Sequence, residues 1–158
     1  MKLSKRGEYG LRALIDLAEA QRAGGSGGGV VQIKEIAGRQ GIPAKFLEQI
    51  LLTLKNAGML HSRMGVGGGY YLARSPEEIS MGAVVRVLDG PLAPIRCVSQ
   101  TAYEPCGCPD EETCGLRLTM LDVRNAIAEI LDRTTLADAL ARIDAARATL
   151  EAPAQMSP

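Results

Sequence analysis

Residues 33–74 read IKEIAGRQGIPAKFLEQILLTLKNAGMLHSRMGVGGGYYLAR, and this stretch decides the fold. Ile33, Ile36 and Ala37 recur at helical spacing, which predicts a short helix over 33–40. Gly41-Ile42-Pro43 then turns the chain. Pro43 suits the first turn of a second helix, because its missing N–H has no partner there anyway. That helix is predicted to run to about Ala57, with Leu47, Ile50, Leu51 and Leu54 on one face. Gly58 is placed to end it in a left-handed conformation. Two extended runs follow, Met59–Arg63 and Tyr70–Arg74, flanking a glycine-rich tip over 64–69. Two helices joined by a tight turn and followed by a hairpin make a winged helix-turn-helix.

Upstream, residues 4–22 read as a helix capped by Ser4, with Leu11, Leu14, Ile15 and Ala18 at helical spacing. The glycine-rich stretch 24–29 reads as a flexible connector. It lacks the Lys-Ser/Thr ending of a phosphate-binding loop. Downstream, Ser80 can cap a helix over 81–88, which Gly90-Pro91 ends. Residues 92–114 carry no periodicity and read as a loop whose order must come from something bound. From Leu116 the apolar positions Leu116, Met120, Val123, Ile127 and Ile130 step by four and three, a narrow seam of coiled-coil type. A helix of that pattern packs on a partner, here a second copy of the chain. Thr135 and Asp138 stand at capping-box spacing ahead of a last helix to about Leu150.

The expected fold is mainly α with a small β-hairpin: a winged helix-turn-helix domain plus a long dimerisation helix. The expected division is a DNA-binding unit over 1–76, a linker helix and cysteine loop over 77–115, the dimerisation and C-terminal helices over 116–151, and a flexible tail over 152–158.

The zero net charge of this 158-residue chain hides a split. Residues 1–74 carry eleven Lys/Arg and five Asp/Glu, or +6, whereas 75–158 carry seven and thirteen, or −6. A basic half joined to an acidic half suggests that one end meets a polyanion. No apolar run approaches the ~20 residues that span a bilayer, and the N-terminus has no apolar stretch suited to a secretory signal. A cytoplasmic protein without membrane contact is expected. An enzyme is not: no nucleophile–base pair stands out, and the one histidine, His61, falls at the hairpin base as a strand residue.

The second helix of the motif should enter a major groove with its N-terminal end forward. Opposite its apolar face lie Ala44, Lys45, Glu48 and Gln49. Gln can pair with adenine, Glu can accept from cytosine, and Lys can meet guanine or phosphate. Arg63 brings charge to the wing, and the compact glycine run lets backbone approach a narrow groove. Lys2, Lys5, Arg6 and Arg39 are candidates for phosphate, which sets position rather than sequence.

All four cysteines, Cys97, Cys106, Cys108 and Cys114, fall within 18 residues. Without a secretion signal, such a cluster points to metal or redox chemistry rather than disulfides. Thiolates suit an iron–sulfur cluster, of [2Fe–2S] or [4Fe–4S] type, or zinc in a closed tetrahedral site. The Cys106-Gly107-Cys108 pair could also act as a metal-free thiol switch. The spacing matches neither common ferredoxin pattern, which disfavours an electron carrier.

MKLSKRGEYGLRALIDLA, the helix-turn-helix stretch and SRMGVGGGYYLAR together resemble the Rrf2 family of bacterial transcriptional regulators, over roughly residues 1–136. The resemblance implies a homodimer on double-stranded DNA and, in many members, an iron–sulfur cluster that tunes DNA binding. It places base reading on Lys45, Glu48 and Gln49, and minor-groove contact on the wing at Arg63, Gly65 and Val66. Met64 stands where the family is often basic. Cluster-binding members commonly space three cysteines five residues apart. Here Cys108 and Cys114 keep that gap, Cys97 lies further upstream and Cys106 is additional. Some members ligate through a His where this chain has Arg117. In others an acidic residue near the N-terminus reaches across the dimer, and Glu8 stands at that place. Two ligand sets follow: all four cysteines, which is preferred, or Cys97, Cys108, Cys114 and Glu8. The expected function is therefore a homodimeric regulator that senses iron–sulfur or redox status. The alternatives are a cluster-free regulator controlled by thiols or by a partner protein, and an iron–sulfur carrier.

Overall fold

The computed structural model describes residues 1–24 and 29–152. Most of the expected connector, 25–28, and of the expected tail, 153–158, lies outside the described residues. The helices are α1 (Lys5–Arg22), α2 (Ile33–Gln40), α3 (Ala44–Asn56), α4 (Met81–Asp89), α5 (Gly115–Arg133) and α6 (Leu136–Glu151). Strands β1 (Leu60–Arg63) and β2 (Gly69–Leu72) form one antiparallel hairpin. The fold is mainly α with a small wing, as expected.

Helix starts follow from side-chain caps. Ser4 Oγ accepts from the Gly7 N–H at 3.0 Å, and Ser80 Oγ accepts from the Ala83 N–H at 3.1 Å. Thr135 and Asp138 form the expected reciprocal capping box on α6. Each such cap is worth about 1 kcal/mol, because it satisfies an N–H that the helix itself leaves open. Pro43 sits one place earlier than expected: it is the N-cap of α3, and its carbonyl accepts from the Leu47 N–H at 2.9 Å. Gly58 ends α3 at φ +79°, a conformation that other side chains rarely adopt.

One aliphatic core joins the elements. Leu14 and Leu17 of α1, Ile36 of α2 and Leu47, Ile50, Leu51 and Leu54 of α3 are fully enclosed. Val84 and Val85 of α4, Leu60 of β1 and Leu136 of α6 close it from the other sides. The hairpin pairs Leu60 with Leu72 and Arg63 with Gly69. Val31, just before α2, exchanges two 2.8 Å backbone hydrogen bonds with Tyr70. That bridge holds the wing against the helix-turn-helix. It also explains Gly69, where a side chain would put its Cβ 2.3 Å from the Val31 carbonyl oxygen.

Two expectations are corrected in part. The strands are shorter than expected, with β1 starting at Leu60 and β2 ending at Leu72. The loop over 92–114 has order of its own. It makes a 3-10 turn at Arg96–Val98, buries Leu92, Cys97 and Val98, and accepts a 2.7 Å hydrogen bond from Arg124 of α5 through Gln100. The C-terminal helix α6 packs on α1 through Leu136, Ala139 and Leu140, with Arg22–Asp144 at 2.6 Å and Arg147–Glu19 at 2.8 Å.

Helix α5 has two unlike faces. Its buried side uses Arg124 and Ala128 against the body, and Arg86 of α4 forms a bidentate pair with Asp132. Of the predicted seam, Leu116, Val123 and Ile130 remain 61%, 40% and 63% exposed, one heptad apart. Among the described residues, no helix is long and apolar enough to cross a membrane.

Candidate nucleic-acid interface and cysteine site

The outer face of α3 carries Ala44, Lys45, Glu48 and Gln49, all exposed. Leu47, Ile50, Leu51 and Leu54 turn inward, so the helix period alone sends the polar set to solvent. Leu52 lies on the same outer face and is 50% exposed. Sequence reading missed it, although the steps 45, 48, 49 and 52 already place it there. An exposed aliphatic side chain beside hydrogen-bonding groups is suited to a thymine methyl.

The wing projects Arg63, Met64, Gly65 and Val66 into solvent, with Met64 at 91% exposure. Tyr70 at its base has its hydroxyl pKa raised, first by burial and then by the charge of Glu48. Wing and α3 are therefore electrostatic neighbours. His61 on β1 is exposed, its ring 5.5 Å from that of Tyr71.

The predicted phosphate contacts have different surroundings. Lys2 is exposed, and Lys5 makes a 3.4 Å surface pair with Glu8 and stands 5.6 Å from the centre of the Tyr9 ring. Arg6 donates to Thr53 Oγ1 at 2.8 Å. Arg39 is tied to Asp16, a carboxylate only 5% exposed, by Nε at 3.0 Å and Nη2 at 2.7 Å. Gln40 Nε2 adds a third donor to Asp16 at 3.0 Å. The hydrogen bonding to Asp16 is the main cause that raises the Arg39 pKa.

The four cysteines are free thiols. Cys97 is buried by the 3-10 turn, Cys106 and Cys108 are exposed, and Cys114 is the half-buried N-cap of α5. Sγ of Cys97, Sγ of Cys106 and a carboxylate oxygen of Glu111 all lie within 4.8 Å of one another. Two metal–sulfur bonds of about 2.3 Å limit thiolates on one ion to roughly 4.6 Å apart, so this group is close to a ligating arrangement. Cys106 Sγ accepts from the Cys108 N–H at 3.3 Å. The Cys108 side chain and backbone together hold the Cys106 pKa below its usual value. The same contact with Cys106, followed by burial and the neighbouring thiols, pushes Cys108 up to about 11. Burial first, and Cys106 second, raise Cys97.

Glu111 is the residue sequence reading missed, although its place three residues before Cys114 puts it inside the loop. Tyr103 Oη lies 2.6 Å from both of its oxygens, and Arg117 Nε lies 3.5 Å from Oε1. Arg117 thus faces the site as a counter-ion for Glu111. Glu8 pairs instead with Lys5 at 3.4 Å and Arg12 at 3.6 Å and stands outside the converged group of its own chain.

The arrangement is similar to known regulators along its whole length. The chain is 39% identical to an rrf2-like HTH-type transcriptional regulator of Rhodobacter capsulatus, over 94% of this chain and 99% of that protein. It is 36% identical to the HTH-type transcriptional regulator CymR of Bacillus subtilis, over 87% of this chain and 88% of that one. The solved structure of that CymR, the global cysteine regulator of B. subtilis, superposes with a TM-score of 0.73 over 90% of this chain and 98% of CymR. T. potens IscR superposes at 0.71 with 33% identity, over 100% of this chain and 93% of that one. The family model described as Rrf2, iron-dependent transcriptional regulator, matches residues 3–142. With a winged helix-turn-helix, a long partly exposed helix and a cysteine loop between them, the chain belongs to the Rrf2 family of transcriptional regulators.

Proposed function

We propose that the chain is a homodimeric, sequence-specific DNA-binding regulator whose cysteine loop holds an iron–sulfur cluster and sets DNA affinity by its state. The observation that carries this reading is the convergence of Cys97 and Cys106 at one point of the loop, with Cys108 in contact with Cys106. Cys97, Cys106, Cys108 and Cys114 are the proposed ligands, and their soft sulfur donors fit iron–sulfur better than a harder ion. When bound, the cluster supplies a cross-link within the loop that oxidants or nitric oxide remove. Glu8 of a second copy is the alternative non-thiol ligand.

The proposed division of labour follows the chain. Residues 1–76 carry DNA contact, through Lys45, Glu48 and Gln49 in a major groove and Arg63, Gly65 and Val66 in a minor groove. Lys5 contacts phosphate, whereas Arg39 serves Asp16 first. Leu116, Val123 and Ile130 on α5 meet a second copy, since their heptad spacing forms the seam of a two-helix contact. Loop order is tied to the dimerisation helix by one connection and to the DNA-binding half by another. Gln100 is held by Arg124 of α5, and Asp89, at the loop entrance, is held by Ser4 of α1. The protein acts in the cytoplasm.

The test is anaerobic purification, iron and sulfide analysis, and affinity for a duplex selected from a random pool, with and without metal. Matched iron and sulfide with unequal affinities support the reading. Equal affinities overturn it. A second reading, a cluster-free thiol regulator, is favoured by the Cys106–Cys108 contact. Metal-free protein whose DNA affinity responds to thiol oxidation supports that alternative. Stoichiometric zinc in place of iron makes the loop a structural staple.

A further inference from the structure

The ligand atoms that converge in the loop are not all thiols. Beside the cysteines stands Glu111, whose carboxylate is within 4.8 Å of both the Cys97 and the Cys106 sulfurs. Three groups that all become anionic repel one another at this distance, and a shared cation turns that repulsion into attraction. The carboxylate is also held from behind. Tyr103 donates to one of its oxygens at 2.6 Å, and Arg117 sits 3.5 Å from Oε1 with its Nε buried and otherwise without a hydrogen-bond partner. A carboxylate braced by a phenol and a guanidinium keeps a free lone pair in a set direction, which is how outer groups orient a metal ligand. Tyr103, Glu111 and Arg117 come from the middle of the loop, its end and the first turn of α5. The bracing therefore ties the loop to the helix proposed to carry the dimer seam.

We propose that Glu111 is a ligand of the metal centre, binding through one carboxylate oxygen beside the Cys97 and Cys106 thiolates, with Tyr103 and Arg117 as its positioning residues. This rests on the reading of the loop as a metal site. In a four-ligand centre this oxygen replaces one thiolate of the all-cysteine set, Cys108 or Cys114. The oxygen is the harder donor and the weaker partner for iron, so its position is where the centre opens first.

The experiment uses the full chain, reconstituted anaerobically with ferrous iron and sulfide, and in parallel loaded with Co²⁺ alone. Wild type is compared with Glu111→Gln, Glu111→Asp, Tyr103→Phe and the control Glu112→Gln, with far-UV circular dichroism to verify that each is folded. Expected for Glu111→Gln are a changed visible dichroism and reduced-state EPR pattern, a changed cobalt d–d band, and iron loss to a chelator about tenfold faster. Glu111→Asp keeps the oxygen ligand and falls between the two. Tyr103→Phe shifts the EPR pattern without changing iron content, and Glu112→Gln leaves everything unaltered. Superimposable spectra and equal chelation rates for wild type and Glu111→Gln overturn the ligand role while leaving the metal site standing. Wild type that takes up neither iron with sulfide nor cobalt overturns both.

Discussion

Asp89, the last residue of α4, accepts a hydrogen bond from the Ser4 N–H at 2.9 Å and a second from the Ser4 hydroxyl. Ser4 in turn caps α1 through the Gly7 N–H. The end of the helix that leads into the cysteine loop is thereby latched to the start of the first helix of the DNA-binding half. Gly7 makes room for it, since a Cβ there would stand 2.7 Å from the Asp89 carboxylate oxygens.

Asp89→Ala is expected to cost about 1 kcal/mol, the scale of a lost cap interaction. Gly7→Ala is expected to push the carboxylate off Ser4 and cost about as much. Because both act on one contact, the double variant should be no worse than about the larger single effect. Urea unfolding of the three variants checks this, and additive losses count against a shared latch.

On α3, Gln49→Ala is expected to weaken binding to a selected duplex by about 1–3 kcal/mol and to relax discrimination at one base pair. Fluorescence anisotropy on duplexes altered one base pair at a time reads both. A uniform loss across all duplexes would place Gln49 on the backbone instead.

Arg39→Ala is expected to act on stability before DNA binding. It removes two of the three side-chain donors to the buried Asp16 carboxylate and leaves only Gln40. The expected loss is about 2 kcal/mol in urea unfolding, the scale of hydrogen bonds to a charged group. A variant as stable as wild type but with a flatter salt dependence of DNA binding would return Arg39 to a phosphate role.

Val123→Glu is expected to convert a dimer to a monomer in light scattering and to abolish tight DNA binding. Val123 is 40% exposed in the single chain, so the fold of the protomer itself should survive. An unchanged dimer would place the subunit contact on another face.

Asp132 is held below the usual carboxylate range, chiefly by the hydrogen bonds from Arg86. A carboxylate whose pKa is depressed on folding adds stability above its unfolded pKa and loses it as pH falls through the folded value. Asp132→Asn should therefore cost most near neutrality, and the gap to wild type should close as pH falls from the usual carboxylate range through the depressed folded value. A gap that stays constant with pH would mean that the pair contributes only through packing.

The helix-turn-helix, the wing and the last helix were legible because each rests on local chemistry. Ser4, Ser80 and Thr135 announce helix starts, and Leu47, Ile50, Leu51 and Leu54 recur at a helical period. The site was legible only in part. The cysteines declare their chemistry by residue type. Glu111 did not, because an acidic residue in a polar loop has no spacing that sets it apart. Arg39 carries no local mark that separates it from other basic surface residues, because its partner Asp16 lies 23 positions earlier in the chain.

The sequence by itself therefore determined the order of the elements, the face of α3 turned to solvent and the family to which the chain belongs. These follow from periodicity, capping and residue type, which are properties of neighbours along the chain. Only the tertiary structure decided that α6 folds back on α1, that Asp89 latches Ser4, and that Glu111 meets Cys97 and Cys106. Those are contacts between distant positions, and packing of the whole core brings them together.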